Sequence, residues 1–294
     1  MEENATGKYL ERLQIEGLWG HYDVDWQLHP DVNILVGENG TGKSTVLRLA
    51  MSGLKFFILK KRIKFNHVTI RLDNKLYQWE KFRTIMDMNG EKGYSLNGED
   101  GVQSSVKTYY LNTFESFSSE QDGIGSNGTK TNLDRQLDEI TRHYLAYQAI
   151  QSSKVFSKQI SFEKAFAQKS YLFDTLNRLF ASTGKTVDEQ NGELEFLLEG
   201  TERITRQDLS SGEKQLLIIL LTVLCQEENP AILVMDEPEI SLHLRWQYEL
   251  VDIIRHLNPH CQVIIATHSP SIFNDGWRDK VFWMENLAKK IVPA

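Results

Sequence analysis

Residues 37–45 read Gly-Glu-Asn-Gly-Thr-Gly-Lys-Ser-Thr, and this stretch decides the fold. It satisfies the pattern G-x-x-x-x-G-K-[ST], with a short apolar segment before it (33–36) and apolar residues at helical spacing after it (45–59). Glycines let backbone N–H groups turn towards an anion, and the start of a helix adds the positive end of its dipole. The stretch therefore predicts a phosphate-binding loop. Average residue frequencies give roughly one chance match per hundred chains of this length.

The phosphate-binding loop assigns roles to its residues. We expect Lys43 to reach the β- and γ-phosphates of a nucleoside triphosphate, and Ser44 to be a ligand of the accompanying magnesium ion. The other residues expected to surround the phosphates are Gly37, Asn39, Gly40, Thr41, Gly42 and Thr45.

A pair of acids follows the apolar segment 232–235. Asp236 fits the second contact to the metal, through water, and Glu237 fits the general base that deprotonates the attacking water. Taken alone, the pair is better explained as a solvated acidic turn after a strand. The phosphate-binding loop upstream favours the catalytic interpretation.

The periodicity along the rest of the chain predicts alternating strands and helices. Predicted strands are 10–15, 22–28, 33–36, 67–72, 75–83, 106–111, 194–198, 232–235, 262–266 and 280–284, and predicted helices are 45–59, 213–226 and 242–257. Between them, 116–132 is rich in Ser, Gly, Asn and Thr and is typical of a loop, and 133–180 predicts two or three helices. Strands that alternate with helices indicate a mainly parallel sheet. We expect a core of 1–111 and 187–294, with an inserted loop and helical lobe at 112–186.

Composition sets limits on the class of protein. The 294 residues have a net charge of −7, which argues against general coating by nucleic acid but leaves room for a local basic patch. The two cysteines, Cys225 and Cys261, form neither a metal pattern nor a disulfide framework, so we expect buried thiols in a reducing compartment. With no signal peptide and no apolar run long enough to cross a bilayer, we expect a soluble cytoplasmic protein without membrane contact.

Three further motifs, in order along the chain, resemble those of ABC-type ATPases. Leu209-Ser210-Ser211-Gly212-Glu213-Lys214-Gln215 resembles the signature motif, Ser241-Leu242-His243 stands at the place of the D-loop, and Thr267-His268-Ser269-Pro270 stands at the place of the switch histidine. The residues of these motifs are similar to those of the RecF/SMC-like branch. Within that branch it most resembles the AAA-family ATPases related to OLD-type nucleases and to bacterial anti-phage defence ATPases. The resemblance covers about 8–111 and 190–290.

This resemblance implies a fold, cofactors and partners. The fold would be an α/β P-loop NTPase of ABC-ATPase type, with a mixed, mainly parallel sheet, N-terminal antiparallel strands and an inserted helical lobe. ATP and Mg²⁺ would be bound in a head-to-tail homodimer. Ser210, Ser211, Gly212 and Glu213 of one subunit would complete the site of the other, although helix capping explains the serines equally well. His268 would hydrogen-bond the γ-phosphate, whereas alone it would be an ordinary histidine that closes a strand.

The same resemblance leaves the biological role open. An ATP-driven switch that controls a separate effector, a nuclease or toxin in phage defence, is the first hypothesis. The alternatives are a RecF-like ATPase of DNA repair or recombination, a transporter ATPase subunit, and a scaffold that binds ATP without hydrolysis. Lys55, Lys60, Lys61, Arg62 and Lys64 could face DNA phosphates, but solvated lysines at a helix end explain them better.

Two positions depart from the ABC-type pattern. His243 stands where transporters usually have Asp, and the Q-loop glutamine has no clear counterpart, although Asn112 could replace it. The residue that stacks on adenine is also open. Trp19, Tyr22 and Trp26 lie near the expected place, and aromatic core packing explains most of them better.

Overall fold

The computed structural model describes residues 9–54, 63–80, 82–86, 92–96, 106–112, 131–189, 194–273 and 276–291. The chain divides into two compact units: the first consists of 1–112, 230–238 and 260–294, and the second of 113–229 and 239–259. The division expected from the sequence, 1–111 with 187–294 against 112–186, stays a prediction.

Strands and helices alternate along the described residues as the periodicity predicts. In chain order they are β1 (Leu10–Leu18), β2 (Tyr22–Gln27), β3 (Val32–Val36), α1 (Lys43–Gly53), β4 (His67–Leu72), β5 (Lys75–Trp79), β6 (Phe82–Met86), β7 (Lys92–Leu96), β8 (Lys107–Asn112), α2 (Asn132–Phe156), α3 (Phe162–Phe180), β9 (Lys185–Asp188), β10 (Glu195–Leu198), β11 (Glu202–Ile204), α4 (Ser211–Leu224), β12 (Ala231–Asp236), α5 (Leu244–Leu257), β13 (Cys261–Ala266), β14 (Val281–Trp283), α6 (Met284–Leu287) and β15 (Ala288–Lys290).

A five-stranded parallel sheet in the first unit positions the candidate site. Its strand order is β14-β3-β13-β12-β8. Every residue of β3, β12 and β13 is buried, which agrees with the continuous apolar runs of strands covered on both faces. Because parallel strands end at the same edge, the loops that follow β3, β12 and β13 meet there.

An antiparallel sheet with the order β15-β2-β1-β4-β5 forms the other large element of the first unit. A tight turn joins β4 and β5, in which Asp73 and Asn74 have φ angles of 55° and 57°. Positive φ at both central residues suits a two-residue hairpin turn, and Asp and Asn tolerate this conformation. Buried side chains of β1, β2 and β4 pack with those of α1 in one apolar cluster.

The second unit contains α2, α3, α4, α5 and the antiparallel strands β11-β10-β9. The lobe predicted as two or three helices consists of two, and a side chain caps the start of each, Thr131 for α2 and Ser161 for α3. Helix α4 packs against α2, and its residues from Leu216 to Leu224 are all buried. Continuous burial of this kind explains why its sequence is apolar all round.

Some predicted elements lie partly outside the described residues, and some short elements were not predicted. Helix α1 ends at Gly53, and residues 55–59 of the predicted helix, as well as four of the five basic residues near it, lie outside the described residues. Most of the predicted loop 116–132 also lies outside them. The prediction missed β7, β9, β11, α6 and β15, which are three to five residues long and too short for periodicity to reveal.

Both cysteines are free thiols, and Cys261 is fully buried. Burial, together with the nearby Glu227 carboxylate, raises the pKa of the Cys225 thiol to about 12. Within the described ranges, no helix combines the length and apolar character needed to span a bilayer.

Candidate active site

The phosphate-binding loop lies between β3 and α1, as predicted. Gly40 and Gly42 have φ angles of 83° and 103°, a region that side-chain-bearing residues rarely adopt. Gly42 is also the N-cap of α1 and offers no side chain to the first N–H groups of the helix. Side chains do cap the starts of α2, α3, α4 and α5. The start of α1 is therefore suited to an external anion.

Close packing by an aromatic ring explains the glycine at position 42. A Cβ atom there would lie 2.5 Å from Cη2 of Trp19. Trp19 itself has a φ angle of 56°, which is uncommon for a bulky residue. The indole thus packs directly on the loop backbone, and any larger residue at position 42 would displace it.

Lys43 places a buried ammonium group at the end of the sheet. The residue is 4% exposed, and Nζ donates to the carbonyl oxygens of Gly37 at 3.1 Å and Glu38 at 3.4 Å. Nζ also lies 2.6 Å from Nε2 of His268 and 3.9 Å from Oε1 of Glu237. The structure thus brings together Lys43 and His268, predicted to contact the γ-phosphate, and Glu237, predicted to be the general base.

Glu237 and His268 also contact each other, with 2.9 Å between Oε1 and Nε2. The same imidazole nitrogen therefore faces an ammonium group on one side and a carboxylate on the other. A single Nε2 atom either accepts from Lys43 or donates to Glu237, according to its tautomer. A phosphate oxygen beside Nζ and Nε2 could accept from both groups.

The backbone holds Glu237 in an unusual conformation. Its φ angle is 53°, and its N–H donates to the carbonyl of Ala266 on β13 at 2.8 Å. A left-handed conformation costs about 1–2 kcal/mol in a residue with a side chain. Strain of this kind persists where the surroundings fix the backbone, often at functional sites.

Asp236 and Ser44, the two residues predicted to contact the magnesium ion, form an oxygen pair at the end of the sheet. Ser44 Oγ donates to Oδ1 of Asp236 at 2.9 Å, and the Tyr110 hydroxyl donates to Oδ2 at 3.3 Å. Complete burial raises the pKa of Asp236, and Ser44, Arg48, Tyr110 and Lys43 partly offset that rise. Magnesium prefers oxygen ligands and binds through one or two carboxylates plus substrate phosphates. This donor set fits a nucleotide-bound Mg²⁺.

A cavity of about 310 Å³ opens beside the phosphate-binding loop. Its lining residues are Leu18, Trp19, Tyr22, Gly40, Thr41, Met284, Glu285 and Ala288. Of the three aromatic candidates for stacking on adenine, Trp19 and Tyr22 line this cavity. Trp26 does not, because it is 1% exposed and packs edge-on against Phe282, so core packing is the correct explanation for that residue.

The signature-like residues lie in the second unit, at the start of α4. Ser210 is the N-cap: its Oγ accepts from the N–H of Glu213, and its own N–H donates to Glu213 Oε2 at 2.7 Å. Lys185 and Thr183 donate to the same carboxylate at 2.7 and 2.8 Å. Although burial opposes it, these hydrogen bonds hold the pKa of Glu213 below its usual value. The capping explanation is therefore correct, and it leaves a phosphate contact possible.

Gly212 is explained by its contact with the D-loop-like segment. A Cβ atom at this position would collide with the carbonyl oxygen of Ser241. His243, the departure from the transporter pattern, is the N-cap of α5, since its Nδ1 accepts from the N–H of Arg245 at 3.3 Å. The two motifs are thus packed against each other within one unit.

Sequence reasoning missed two residues of the site, Tyr110 and Glu285. Tyr110 lies three residues after the start of β8 and reaches Asp236 only because β8 pairs with β12. Glu285 lies in α6, which was not predicted. It is far from the loop in sequence but close to it in space, with Oε1 3.3 Å from the backbone nitrogen of Glu38. No local pattern signals either residue. The side chain of Asn112, the Q-loop candidate, lies outside the described part of the structure.

The sequence matches known proteins over most of its length. Residues 110–274, more than half of the chain, match the family described as "AAA domain, putative AbiEii toxin, Type IV TA system". The chain is 21% identical to the Septu protein PtuA of Bacillus thuringiensis, over 89% of this chain and 72% of that protein. It is 24% identical to the DNA replication and repair protein RecF of Halalkalibacterium halodurans, over 71% of this chain and 60% of that protein.

A solved structure shares the fold. The crystal structure of an Smc head bound to the C-winged helix domain of ScpA covers 96% of this chain with a TM-score of 0.53 and 15% sequence identity. At that identity the likeness concerns the fold alone. It agrees with the predicted P-loop NTPase fold of ABC-ATPase type.

The two left-handed glycines of the loop give a matched test of the packing by Trp19. Alanine at either position strains the backbone by about 1–2 kcal/mol. Gly42→Ala should lower the free energy of unfolding by roughly 1–3 kcal/mol more than Gly40→Ala. Only a Cβ atom at position 42 meets the indole, whereas a Cβ atom at Gly40 meets nothing within 4 Å. Urea unfolding without nucleotide measures both. Equal losses would contradict the packing role of Trp19.

Proposed function

We propose that this chain, which belongs to the family described as "AAA domain, putative AbiEii toxin, Type IV TA system", hydrolyses ATP to ADP and phosphate and works as a nucleotide-dependent dimeric switch. Its architecture is that of an ABC-type ATPase of the RecF/SMC-like branch. One observation carries the proposal: Lys43, Glu237 and His268 converge at the end of the sheet, next to the oxygen pair of Ser44 and Asp236.

The three converging residues divide the work of hydrolysis. Lys43 binds the β- and γ-phosphates, and backbone N–H groups at the start of α1 hold the same anion. Glu237 accepts a proton from the attacking water, and His268 donates to the γ-phosphate. Arriving phosphate oxygens accept from Lys43 and His268, which leaves the Glu237 carboxylate for the water. Catalysis by this route consists of positioning and charge stabilisation.

Ser44 and Asp236 would hold Mg²⁺, directly or through water. When bound, the ion neutralises charge on the β- and γ-phosphates. Tyr110 keeps one oxygen of Asp236 in place through its hydroxyl. The base of the nucleotide would occupy the cavity beside the loop, stacked on Trp19 or Tyr22, whose rings lie edge to face with 6.3 Å between centroids.

We place the second half of each catalytic site on another subunit. The start of α4 presents Ser210, Ser211 and Gly212 as a helix N-terminus, which favours an anion. In a head-to-tail homodimer this terminus would face the γ-phosphate bound by the other subunit. The capping hydrogen bonds of Ser210 and Glu213 would then fix the geometry of the contact.

We propose that the dimer controls a separate effector, a nuclease or toxin, in defence against phage. The motif wording, the family description and the similarity to the Septu protein PtuA support this role. A RecF-like role on DNA is the second candidate. The similarity to the DNA replication and repair protein RecF favours it.

Two substitutions separate binding from hydrolysis. Glu237→Gln should leave ATP affinity intact, reduce hydrolysis by at least about a hundredfold and accumulate the ATP-bound dimer, because the general base is lost while the phosphate contacts remain. Lys43→Ala should weaken ATP binding itself. Calorimetry, phosphate release and light scattering measure the three properties. Normal turnover by Glu237→Gln would refute its role as base, and unchanged affinity in Lys43→Ala would refute the phosphate contact.

A mixture of two inactive variants tests the shared site. Lys43→Ala disables the loop, and Ser211→Arg blocks the start of α4 while Ser210 keeps its capping bonds. Half of the dimers in an equal mixture are heterodimers with one intact composite site, so roughly a quarter of normal ATPase activity should return. If each catalytic site lay within one subunit, the mixture would stay as inactive as its components.

A pull-down of Glu237→Gln from the native host, with and without ATP, tests the biological role. The effector hypothesis predicts that a second protein is retained with ATP and released without it, and Lys43→Ala provides the control that should retain none. The RecF-like alternative predicts retained DNA whose binding weakens steeply with salt. ATP-dependent retention of DNA without a protein would overturn effector control.

A further inference from the structure

Glu285 is the one charged side chain among the described residues that line the cavity beside the phosphate-binding loop. The other lining residues are apolar, aromatic or neutral. A carboxylate in such a wall accepts hydrogen bonds and donates none. Its presence therefore selects for a ligand with donor groups at this point of the cavity.

The position of the carboxylate is set by the phosphate-binding loop. Oε1 of Glu285 accepts from the backbone N–H of Glu38 at 3.3 Å and would lie 3.2 Å from a Cβ atom built on Gly37. The preceding residue, Met284, is 1% exposed and packs just as closely on Gly37. The exposed side chain thus contacts the loop at Glu38, and its carboxylate can accept several further hydrogen bonds.

The kinds of residue that line the cavity with Glu285 indicate which ligand it would face. Trp19 and Tyr22 offer aromatic rings suited to a base, and Gly40 and Thr41 belong to the phosphate-binding loop. The ribose of a nucleotide that contacts both the rings and the loop carries hydroxyl donors at its 2′ and 3′ positions. We infer that Glu285 accepts a hydrogen bond from a ribose hydroxyl and makes the site selective for ribonucleotides. This inference rests on the proposed function.

A purely structural explanation makes a different prediction. If Glu285 only supports the loop through the Glu38 N–H, its removal weakens the binding of every nucleotide by the same factor. If Glu285 binds the ribose, its removal weakens the binding of ATP but leaves the affinity for an analogue without the contacted hydroxyl unchanged. The ratio of affinities for ATP and deoxy analogues therefore separates the two roles.

The experiment measures dissociation constants of ATP, 2′-deoxy-ATP and 3′-deoxy-ATP with Mg²⁺ for the wild-type chain, Glu285→Gln and Glu285→Ala. A hydrogen bond to a charged group predicts that wild type binds ATP on the order of 10- to 100-fold more tightly than one of the two analogues. This ratio should fall close to one in Glu285→Ala and to an intermediate value in Glu285→Gln, which keeps the shape and an acceptor oxygen. Glu16→Ala, an exposed position on β1, is the control and should keep the wild-type ratio.

Two results would overturn the inference. One is a wild-type chain that binds ATP and both analogues equally well, and the other is a ratio that stays unchanged in both Glu285 variants. Failure of the proposed function has its own signature, because the wild-type chain would then bind none of the three nucleotides. In that case both proposals fall together.

Discussion

The site depends on the burial of one ammonium group. Lys43 is almost completely shielded from water, and an isolated buried charge costs several kcal/mol unless polar partners surround it. Its partners come from three segments: carbonyl oxygens of the phosphate-binding loop, the carboxylate of Glu237 after β12, and the imidazole of His268 after β13. They meet only because β13 lies between β3 and β12 in the parallel sheet. The strand order thus brings together the polar groups that compensate the buried charge of Lys43.

Local patterns account for what the sequence predicts correctly. The loop after β3, the acids after β12 and the histidine after β13 are each recognised from a few neighbouring residues. Tyr110 and Glu285 have no such signal, because their places depend on which strands are neighbours and in what register. The alternation of β2 could have settled one open question: Trp26 shares a face with Val24, which is buried, so it belongs to the core.

At the start of α4, the side chains that cap the helix also support the phosphate contact proposed there. Ser210 and Glu213 satisfy each other's hydrogen bonds, and Lys185 and Thr183 hold the carboxylate from a neighbouring segment. This network fixes the direction of the first N–H groups of the helix. Gly212 brings the helix against the carbonyl of Ser241, so the two motifs form one small unit. A contact to a phosphate would therefore be made by a preorganised surface with little ordering cost.

The condition of the two cysteines has a practical consequence for chemical labelling. Only the thiolate reacts quickly with maleimides, and burial raises the pKa of Cys225 to about 12, which favours its unreactive thiol form. Cys261 is enclosed within β13. The natural chain is therefore close to silent towards thiol reagents. A single cysteine introduced on the surface could carry a fluorophore or a cross-linker without removal of the native residues.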